Sequence, residues 1–509
     1  MWRLRVSSLA KTAVFGTSAV VLCGTAYAQA RVKAAEVAKH DKPDDLWVAV
    51  NGQVYNLTEF KAAHPGGAKI LEKYAGTDAS EIFNKFHAKD LPEKLLDDDQ
   101  KLGELDGELK SIGNIMDASA GDREHLEKNK PPLERLMNPN DFEYVAKRLI
   151  SQNAWSYYSS AADDQITFRE NHDAFKRIFF KPRVCVDVTD VDMTTEFFGE
   201  KVPAPFYCSA AAQAKMGHES GELGIARGCG RAGIPQMISN YASYPLPQIA
   251  GQIKGQTQWF QMYSEPEEEK NKENIDSAVN HGLKAIFVTV DTPQLGHREK
   301  DLKLKAEQGL SDGGVLGQIH YGAAHPVTWE RISAWRHISK VPIVLKGVGS
   351  VEDVVKAAEQ GIPAVVLSNH GGRQLDFARA PIEVLADTMP VLREKGLDGK
   401  IDIYIDGGAR RGSDILKAVA LGAKGVGFGR LFLYANSAYG EEGVQRLCEM
   451  LQEEIHMNMQ LLGVTSLSEL GPQHLDLRSL YSRSTEQDMA FYENYEPVGP
   501  PKFKFELPK

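Results

Sequence analysis

The chain has 509 residues, enough for about three domains of ordinary size, and its 42% hydrophobic content allows large cores. The formal net charge of −10 at pH 7 excludes functions that need a broadly basic surface, such as nucleic-acid binding, and favours basic partners. The five cysteines are widely spaced without a C-x-x-C pair, so they indicate neither a disulfide framework nor a zinc site.

Residues 1–40 have the composition of a targeting segment. Arg3 and Arg5 are basic, no acidic residue precedes Glu36, and a largely apolar stretch runs from Thr12 to Ala28. A basic leader followed by such a stretch is typical of a two-part signal for the mitochondrial intermembrane space. A secretory signal peptide is the alternative.

Residues 41–107 have the pattern of a small domain. Two β-rich runs between Leu46 and Leu57 flank the turn dipeptide Asn51-Gly52, which predicts a hairpin. His64 and His87 follow on different local elements, where they can meet on opposite faces of one flat ligand. An iron porphyrin with two axial imidazoles needs that arrangement, although two surface histidines would also explain the spacing.

This stretch resembles the cytochrome b5 haem domain from Asp44 to Leu105. The residues that carry the resemblance are Trp47, the His64-Pro65-Gly66-Gly67 motif, Ala75-Gly76, Asp78-Ala79 and His87. The resemblance implies that His64 and His87 are the two ligands of a haem b iron. Since no iron position then stays open, the implied role is electron transfer. The domain has a net charge of −6, with 14 acidic residues against 8 Lys.

Residues 108–140 mix Gly, Asn, charged residues and Pro131-Pro132 without a long apolar period, which predicts a linker or hinge. From residue 141 to 484, short apolar runs alternate with helical stretches. Eight runs have the composition of strands: 205–208, 234–238, 258–262, 285–290, 342–345, 364–367, 401–405 and 425–428. This alternation predicts an α/β fold, a (β/α)8 or TIM barrel, behind an N-terminal α+β domain. Residues 485–509 form a C-terminal tail.

Polar residues follow these predicted strands, at the barrel end that carries the chemistry in such folds. They include Ser239, Gln261, Tyr263, Thr289, Asp291, Lys346, His370 and Arg373. Any one of them is explained by an ordinary polar barrel rim, but their joint placement at one mouth indicates a site. His370 can exchange a proton near neutral pH, and the guanidinium fork of Arg373 suits a carboxylate.

A phosphate cradle is predicted after the seventh and eighth strands. Gly407 and Gly408 with Arg410, and Gly429 with Arg430, offer backbone N–H groups and two cations at that position. A Gly-Gly pair alone would be only a turn.

From Asn153 to about Glu496 the chain resembles the FMN-dependent 2-hydroxy acid oxidizing family. The motifs are Tyr157-Tyr158-Ser159-Ser160, Thr289-Val290-Asp291-Thr292, Arg298-Glu299-Lys300-Asp301, Leu345-Lys346-Gly347, Ser368 to Asp376, and Asp406-Gly407-Gly408-Ala409-Arg410. The resemblance implies that His370 is the base and that Asp291 orients its imidazole and stabilises the cation. These roles suit oxidation of a hydroxyl group, which needs a proton acceptor and a flavin.

The same resemblance implies the substrate and cofactor contacts. Arg373 and Tyr157 would hold the substrate carboxylate, Tyr263 would place a hydroxyl near the reacting oxygen, and Arg298 would be a second cation. Tyr241 would touch the substrate side chain. The cofactor contacts would be Ala210, Ala211, Ala212, Ser239, Gln261, Thr289, Lys346, Asp406, Gly407, Gly408, Ala409, Arg410, Gly429 and Arg430, with Lys346 beside the flavin ring.

Leader, haem module and barrel together resemble the haem-containing branch of this family. They imply that FMN oxidises L-lactate, or a related L-2-hydroxy acid, to the 2-keto acid, and that haem b passes the electrons to cytochrome c. A homotetramer is expected by the same analogy. Tyr241 stands where lactate enzymes have Leu, which leaves the preferred acid open.

Two other functions are possible. The first is an oxygen-using 2-hydroxy acid oxidase, in which the haem domain would have no role. The second is a haem-binding electron carrier or sensor with an inactive barrel, which the intact set of His370, Asp291, Lys346 and Arg373 argues against.

Overall fold

A five-stranded sheet forms the N-terminal domain of the protein, whose computed structural model describes residues 31–62, 64, 68–87, 89, 91–110, 120–308 and 325–483. Its strands are β1 (Arg31–Lys33), β2 (Asp41–Lys42), β3 (Asp45–Val50), β4 (Gln53–Asn56) and β5 (Lys101–Asp106), in the order β1-β5-β4-β3-β2. The predicted hairpin is present, because β3 and β4 pair antiparallel around Asn51 and Gly52. Both residues have the positive φ that a two-residue hairpin turn of this sequence requires. The helices of this domain are Ala34–Val37, Ala68–Lys73, Ser80–Phe86 and Leu91–Leu95.

The sheet begins ahead of the boundary predicted at residue 41. Its first strand, Arg31–Lys33, pairs in parallel with Glu104–Asp106, which is the last strand of the domain in sequence. Three residues carry no periodic hydrophobic signal, so sequence reasoning assigned them to the targeting segment. The leader before residue 31 lies outside the described residues, as do residues 309–324 and the predicted tail.

The predicted linker, residues 108–140, contacts the barrel domain through Lys130 and Pro131, near the C-terminal end of the linker. The ammonium group of Lys130 donates to the carbonyl of Ala438 at 2.8 Å, and the hydroxyl of Tyr439 donates to the carbonyl of Pro131 at 2.6 Å. The ammonium group also lies 4.7 Å from the centre of the Tyr439 ring. The end of the linker is therefore held to the barrel rather than exposed along its whole length.

Eight parallel strands close into a barrel within the described C-terminal residues, and the last strand pairs with the first. Three short strands precede the barrel: β6 (Phe179–Phe180), β7 (Thr195–Phe197) and β8 (Glu200–Val202). The barrel strands are β9 (Phe206–Cys208), β10 (Gln236–Ser239), β11 (Gln258–Met262), β12 (Ile286–Thr289), β13 (Ile343–Val348), β14 (Ala364–Leu367), β15 (Asp402–Asp406) and β16 (Gly425–Phe428), and β17 (Leu475–Asp476) follows. The predicted fold is confirmed, with small shifts at the strand ends.

Helices surround the barrel strands. Their bounds are Ala120–Lys128, Pro139–Leu149, Gln152–Ser159, Ile166–Lys176, Gly221–Arg231, Leu246–Ile249, Glu268–Asn280, Glu299–Glu307, Trp329–Ile338, Val351–Glu359, Pro381–Glu394, Gly412–Leu421 and Arg430–Leu462. None of the described helices has the length and apolar character that crossing a bilayer requires.

The barrel interior is filled by aromatic side chains. Tyr207, Trp259, Phe287 and Tyr404 are fully buried on strands of the barrel. The β7–β8 hairpin closes the N-terminal end, where the Phe197 ring lies 5.7 Å from that of Trp259. Because this end is packed shut, only the C-terminal ends of the strands are available for a binding site.

Candidate active site

A histidine and a buried carboxylate form the centre of the barrel mouth. His370, directly after β14, has its Nδ1 3.2 Å from Oδ1 of Asp291, which follows β12. Burial alone would raise the pKa of Asp291, but His370 and then Lys346 outweigh burial and lower it. An ionised carboxylate on Nδ1 leaves the other ring nitrogen, Nε2, to exchange a proton.

The position of Asp291 depends on two residues that sequence reasoning did not assign. The amide of Gln374 donates to the backbone carbonyl of Asp291 at 2.7 Å. Gly347 has a φ of +107°, and a Cβ there would lie 2.5 Å from Cγ of Asp291. Only glycine therefore allows this close approach. Gly347 lies in the motif Leu345-Lys346-Gly347, and Gln374 lies in the motif Ser368 to Asp376. Membership in these motifs is the sequence signal that could have found them.

Two arginines give the mouth an excess of positive charge. Arg373 and Arg298 lie on the ring of Tyr157, with guanidinium carbons 5.0 and 5.6 Å from its centre. Burial and then Arg298 lower the pKa of Arg373 to about 9. An anion bound between the arginines would remove that unfavourable charge. The Arg373 side chain also donates to the carbonyl of Tyr157 at 2.7 Å, which fixes its direction.

Two tyrosines cover the other side of the mouth. The rings of Tyr241 and Tyr263 stack with centroids 5.0 Å apart and an interplanar angle of 19°. Burial and then Asp291 raise the pKa of Tyr263, so its hydroxyl stays protonated. Tyr241 is 45% exposed, on the outer side of the pair.

A hydrogen-bonded row crosses the ends of three neighbouring strands. Ser239 Oγ donates to Gln261 Oε1 at 3.3 Å, and Gln261 Nε2 donates to Thr289 Oγ1 at 2.9 Å. Lys346 pairs with Thr289 in strand register and is 5% exposed. The loop with Ala210, Ala211 and Ala212 follows β9 at the same end.

Lys346 is held by Asp406, which sequence reasoning placed in the phosphate cradle. Lys346 Nζ lies 3.2 Å from Asp406 Oδ2, and Ser368 donates to the other oxygen of that carboxylate. Burial alone would lower the pKa of Lys346, but Asp406 and then Asp291 outweigh it and raise that pKa. The lysine is thus a fixed cation in the polar row.

The residues predicted to cradle a phosphate lie in the loops after β15 and β16. Gly408 has no room for a side chain, since a Cβ would lie 2.0 Å from the carbonyl oxygen of Asn171. The guanidinium of Arg430 donates to the carbonyls of Tyr158, Gly371 and Ser160. These bonds fix its direction, and the carbonyls are neutral, so the side chain keeps its positive charge.

The other cation of the cradle already has an acidic partner. Arg410 lies half-buried at its edge, donates to Oδ1 of Asn140 and is ion-paired with Glu143. Gly407 is half-buried, Ala409 is nearly buried, and a Cβ at Gly429 would meet open space. Gly429 also precedes the helix Arg430–Leu462, whose N-terminus favours anions.

In the N-terminal domain the two candidate ligands come together as predicted. The rings of His64 and His87 are 6.1 Å apart between centroids, at an angle of 73°. Burial and then His64 lower the pKa of His87 to about 4, so its imidazole is neutral near pH 7. No cluster of three metal-binding side chains occurs in the described part of the chain.

Comparison with known proteins identifies both domains. Residues 146–477 match the model of the FMN-dependent dehydrogenase family, and residues 33–106 match the cytochrome b5-like heme/steroid binding domain. The chain belongs to the FMN-dependent dehydrogenase family. L-lactate dehydrogenase (cytochrome) of Wickerhamomyces anomalus is 48% identical over 92% of this chain and 84% of its own length. The Saccharomyces cerevisiae protein of the same name is 45% identical over 94% and 85%.

A solved structure supports the same assignment. Flavocytochrome b2 in a double-mutant form with pyruvate bound has a TM-score of 0.69 and 46% identity, and covers 77% of this chain and 99% of its own. The resemblances inferred for the barrel and for the N-terminal domain are confirmed. This FMN-dependent dehydrogenase is therefore an enzyme with a flavin barrel and a cytochrome b5-like haem domain.

The geometry of this protein fits both cofactors. Two facing imidazoles suit a haem iron, and the lowered pKa of His87 leaves its ring neutral, as a metal-bound histidine must be deprotonated at the bonding nitrogen. At the barrel mouth, the side-chain-free Gly408, the helix N-terminus after Gly429 and the buried Lys346 suit a phosphate and a flavin ring.

We expect Lys346→Met to destabilise the FMN-free protein by about 3–5 kcal/mol near pH 8, because Asp406 is left buried without its cation. The loss should be smaller at about pH 5. An unpaired buried carboxylate has a raised folded-state pKa, so its protonation restores stability as the pH falls. Urea denaturation at the two pH values measures both effects.

The double variant Lys346→Met/Asp406→Asn is the control. The double variant removes the buried charge, so it should recover part of the stability. The difference in unfolding free energy between the double variant and the wild-type protein should not depend on pH. An equal loss in the single variant at both pH values would contradict the pairing.

Proposed function

We propose that the protein oxidises L-lactate, or a closely related L-2-hydroxy acid, to the 2-keto acid, and delivers the electrons to cytochrome c. The observation that carries the proposal is the mouth itself, where a carboxylate-backed histidine and two arginines lie at the same end of the barrel. This arrangement places a proton acceptor next to a site for an anion, as a 2-hydroxy carboxylate requires. The similar proteins named L-lactate dehydrogenase (cytochrome) support the choice of substrate and acceptor.

In this proposal the substrate carboxylate binds Arg373 and Tyr157, with Arg298 as a second nearby cation. The guanidinium of Arg373 is buried beside another arginine, so pairing it with a carboxylate is favourable. Tyr263 keeps its proton and donates a hydrogen bond to the substrate oxygen. Tyr241 stacks on Tyr263 and limits the space for the substrate side chain.

His370 takes a proton from the substrate during oxidation. Asp291 stabilises the imidazolium that forms and keeps the ring in one orientation, as a carboxylate does behind other catalytic histidines. The loop geometry serves the same purpose. His370 has a φ of +58° and is followed by two glycines with positive φ, so the backbone turns sharply and the ring lies over the mouth.

The cofactors are assigned to residues as follows. Ala210 to Ala212, the row from Ser239 to Thr289 and Lys346 contact the flavin ring, and the cradle from Asp406 to Arg410 with Gly429 and Arg430 holds its phosphate. His64 and His87 ligate the haem. When bound, FMN accepts the electron pair from the substrate, and the haem releases electrons one at a time to a protein acceptor.

We further propose that the enzyme acts in the mitochondrial intermembrane space as a homotetramer. The basic, acid-free start of the leader supports the location. Leu375 and Phe377, which are 76% and 74% exposed beside the mouth, are apolar surface that assembly would cover. The −6 charge of residues 41–107 supports a basic acceptor such as cytochrome c.

An anaerobic titration with L-lactate tests the function directly. The flavin and haem absorb in separate bands, so bleaching of one and reduction of the other are followed independently. We expect both. Flavin bleaching without haem reduction, together with rapid oxygen consumption in air, would favour a 2-hydroxy acid oxidase.

If His370 is the base, His370→Gln should slow flavin reduction by about 10⁴-fold or more, since both the proton acceptor and the charge that it stabilises are lost. FMN and haem should stay bound. Anaerobic stopped-flow spectroscopy measures the rate, and His337→Gln, on the exposed face of an outer helix, is the control. Near-normal bleaching in His370→Gln would show that another group takes the proton.

Tyr241→Ala should raise kcat/KM for 2-hydroxyoctanoate relative to L-lactate, because it opens the outer side of the Tyr241–Tyr263 pair. We expect a change of about 10-fold, the size of effect that one or two methylene groups have in a pocket. Tyr481→Ala, at a tyrosine of similar exposure bonded to Asp387, is the matched control. An unchanged ratio would place Tyr241 outside the substrate pocket.

The proposed route of the electrons gives a further prediction. His64→Ala and His87→Ala should abolish cytochrome c reduction and leave reduction of a small artificial acceptor intact, whereas His125→Ala, in the exposed linker helix, should change neither. Cytochrome c reduction should also slow as salt rises, because exposed charges are screened beyond about 8 Å at physiological ionic strength. Haem-independent or salt-independent reduction of cytochrome c would contradict this route.

A further inference from the structure

One lysine of the barrel contacts the residue that carries a candidate haem ligand. The ammonium group of Lys215 donates to the backbone carbonyl of His87 at 2.8 Å, across 128 positions of sequence. Lys215 lies in the turn Ala214–Met216, three residues after Ala212. The contact therefore lies between the loop at the flavin site and the haem site.

The backbone of Lys215 is held from inside the barrel domain. Glu222 is 2% exposed, and its Oε1 accepts hydrogen bonds from the N–H groups of Ala214 at 2.9 Å and Ser243 at 3.0 Å. Ser243 Oγ in turn accepts from the N–H of Lys215 at 3.2 Å. A buried carboxylate thus fixes the position from which the lysine extends.

The stem of the lysine also has a defined path. Its ammonium nitrogen lies 5.0 Å from the centre of the Tyr244 ring. A Cβ at Gly221 would lie 2.7 Å from Lys215 Cγ, so the missing side chain at that position makes room for the stem. The backbone and stem of Lys215 are fixed, and its ammonium group lies over the Tyr244 ring. The side chain has therefore lost most of its rotamer freedom even without the bond to His87.

A second bond between the domains lies at a different place. Lys73 of the N-terminal domain donates to the carbonyl of Gln308 at 2.5 Å. Of these two bonds, the one from Lys215 reaches the candidate ligand residue.

We propose that Lys215 is a positioning residue for electron transfer between the domains, holding the His87 side of the haem site against the flavin loop. The inference rests on the proposed function, in which each electron lost at the barrel is gained by the haem iron. A fixed positive charge next to His87 also stabilises the reduced state of that iron, because reduction lowers the positive charge of the site. Lys215 therefore affects both the docking and the reduction potential.

The test compares the holoenzyme with its variants Lys215→Met and Lys356→Met. Methionine keeps an apolar stem over Tyr244 and removes only the ammonium group. Lys356 is the matched control, since its ammonium group also lies over an aromatic ring, that of Trp329 at 4.7 Å, on an outer helix of the barrel. Stopped-flow spectroscopy with L-lactate follows flavin and haem separately.

In Lys215→Met we expect flavin reduction within about two-fold of wild type and haem reduction slower by about 10- to 100-fold, the effect of losing one charge-assisted hydrogen bond. Two readouts do not depend on turnover. Amide hydrogen exchange at residues 83–87 and 213–216 should become faster, and the haem reduction potential should fall, which a merely structural lysine would not cause. Lys356→Met should match wild type in all of these measurements.

Wild-type haem reduction, exchange and potential in Lys215→Met would overturn the inference and leave the proposed function standing. The same losses in Lys356→Met would overturn it too, since they would not be specific to the contact with His87. If lactate bleaches the wild-type flavin but never reduces the haem, the proposed electron route itself fails, and this outcome is distinct from the others.

Discussion

A buried chain of opposite charges connects the ends of four barrel strands. Asp406 at the end of β15 pairs with Lys346 of β13. Lys346 lowers the pKa of Asp291, which follows β12. Asp291 in turn accepts a hydrogen bond from His370, which follows β14. Buried charges are costly unless each has a partner, so every member of the chain fixes the next. The same interactions provide a rigid cation in the polar row and an ionised carboxylate behind the imidazole.

The opposite side of the mouth is left electrostatically incomplete. Arg373 is buried beside Arg298, and the nearby carboxylate of Asp301 offsets their charge only in part, because Asp301 also pairs with Lys305 and the pKa of Arg373 stays lowered. A negative ligand supplies the rest of the compensating charge. In the proposed function, this difference between the two sides of the mouth would orient a 2-hydroxy carboxylate with its carboxylate on the arginines and its hydroxyl toward His370.

The two domains meet through lysine side chains and backbone carbonyls. Lys215 of the barrel domain bonds to the carbonyl of His87, and Lys73 of the N-terminal domain bonds to the carbonyl of Gln308, at the end of the helix Glu299–Glu307. On the barrel side, Glu222 fixes both the turn that carries Lys215 and the loop of Ser243, just after Tyr241. One buried carboxylate thus connects the flavin loop, the substrate side of the mouth and the contact between the domains.

Sequence alone determined the fold class and predicted which polar residues lie at the mouth of the barrel. Alternating apolar runs predict the barrel because each strand is buried on both faces, and parallel strands bring every residue after a strand, such as Asp291 and His370, to one end. Tertiary structure decided which partner each polar group takes. Asp406 pairs with Lys346, Arg430 donates to three backbone carbonyls, and β1 pairs with β5 at the other end of the domain sequence. Such pairings depend on distances of a few ångströms between segments remote in sequence, and a local pattern of residue types contains no information about those distances.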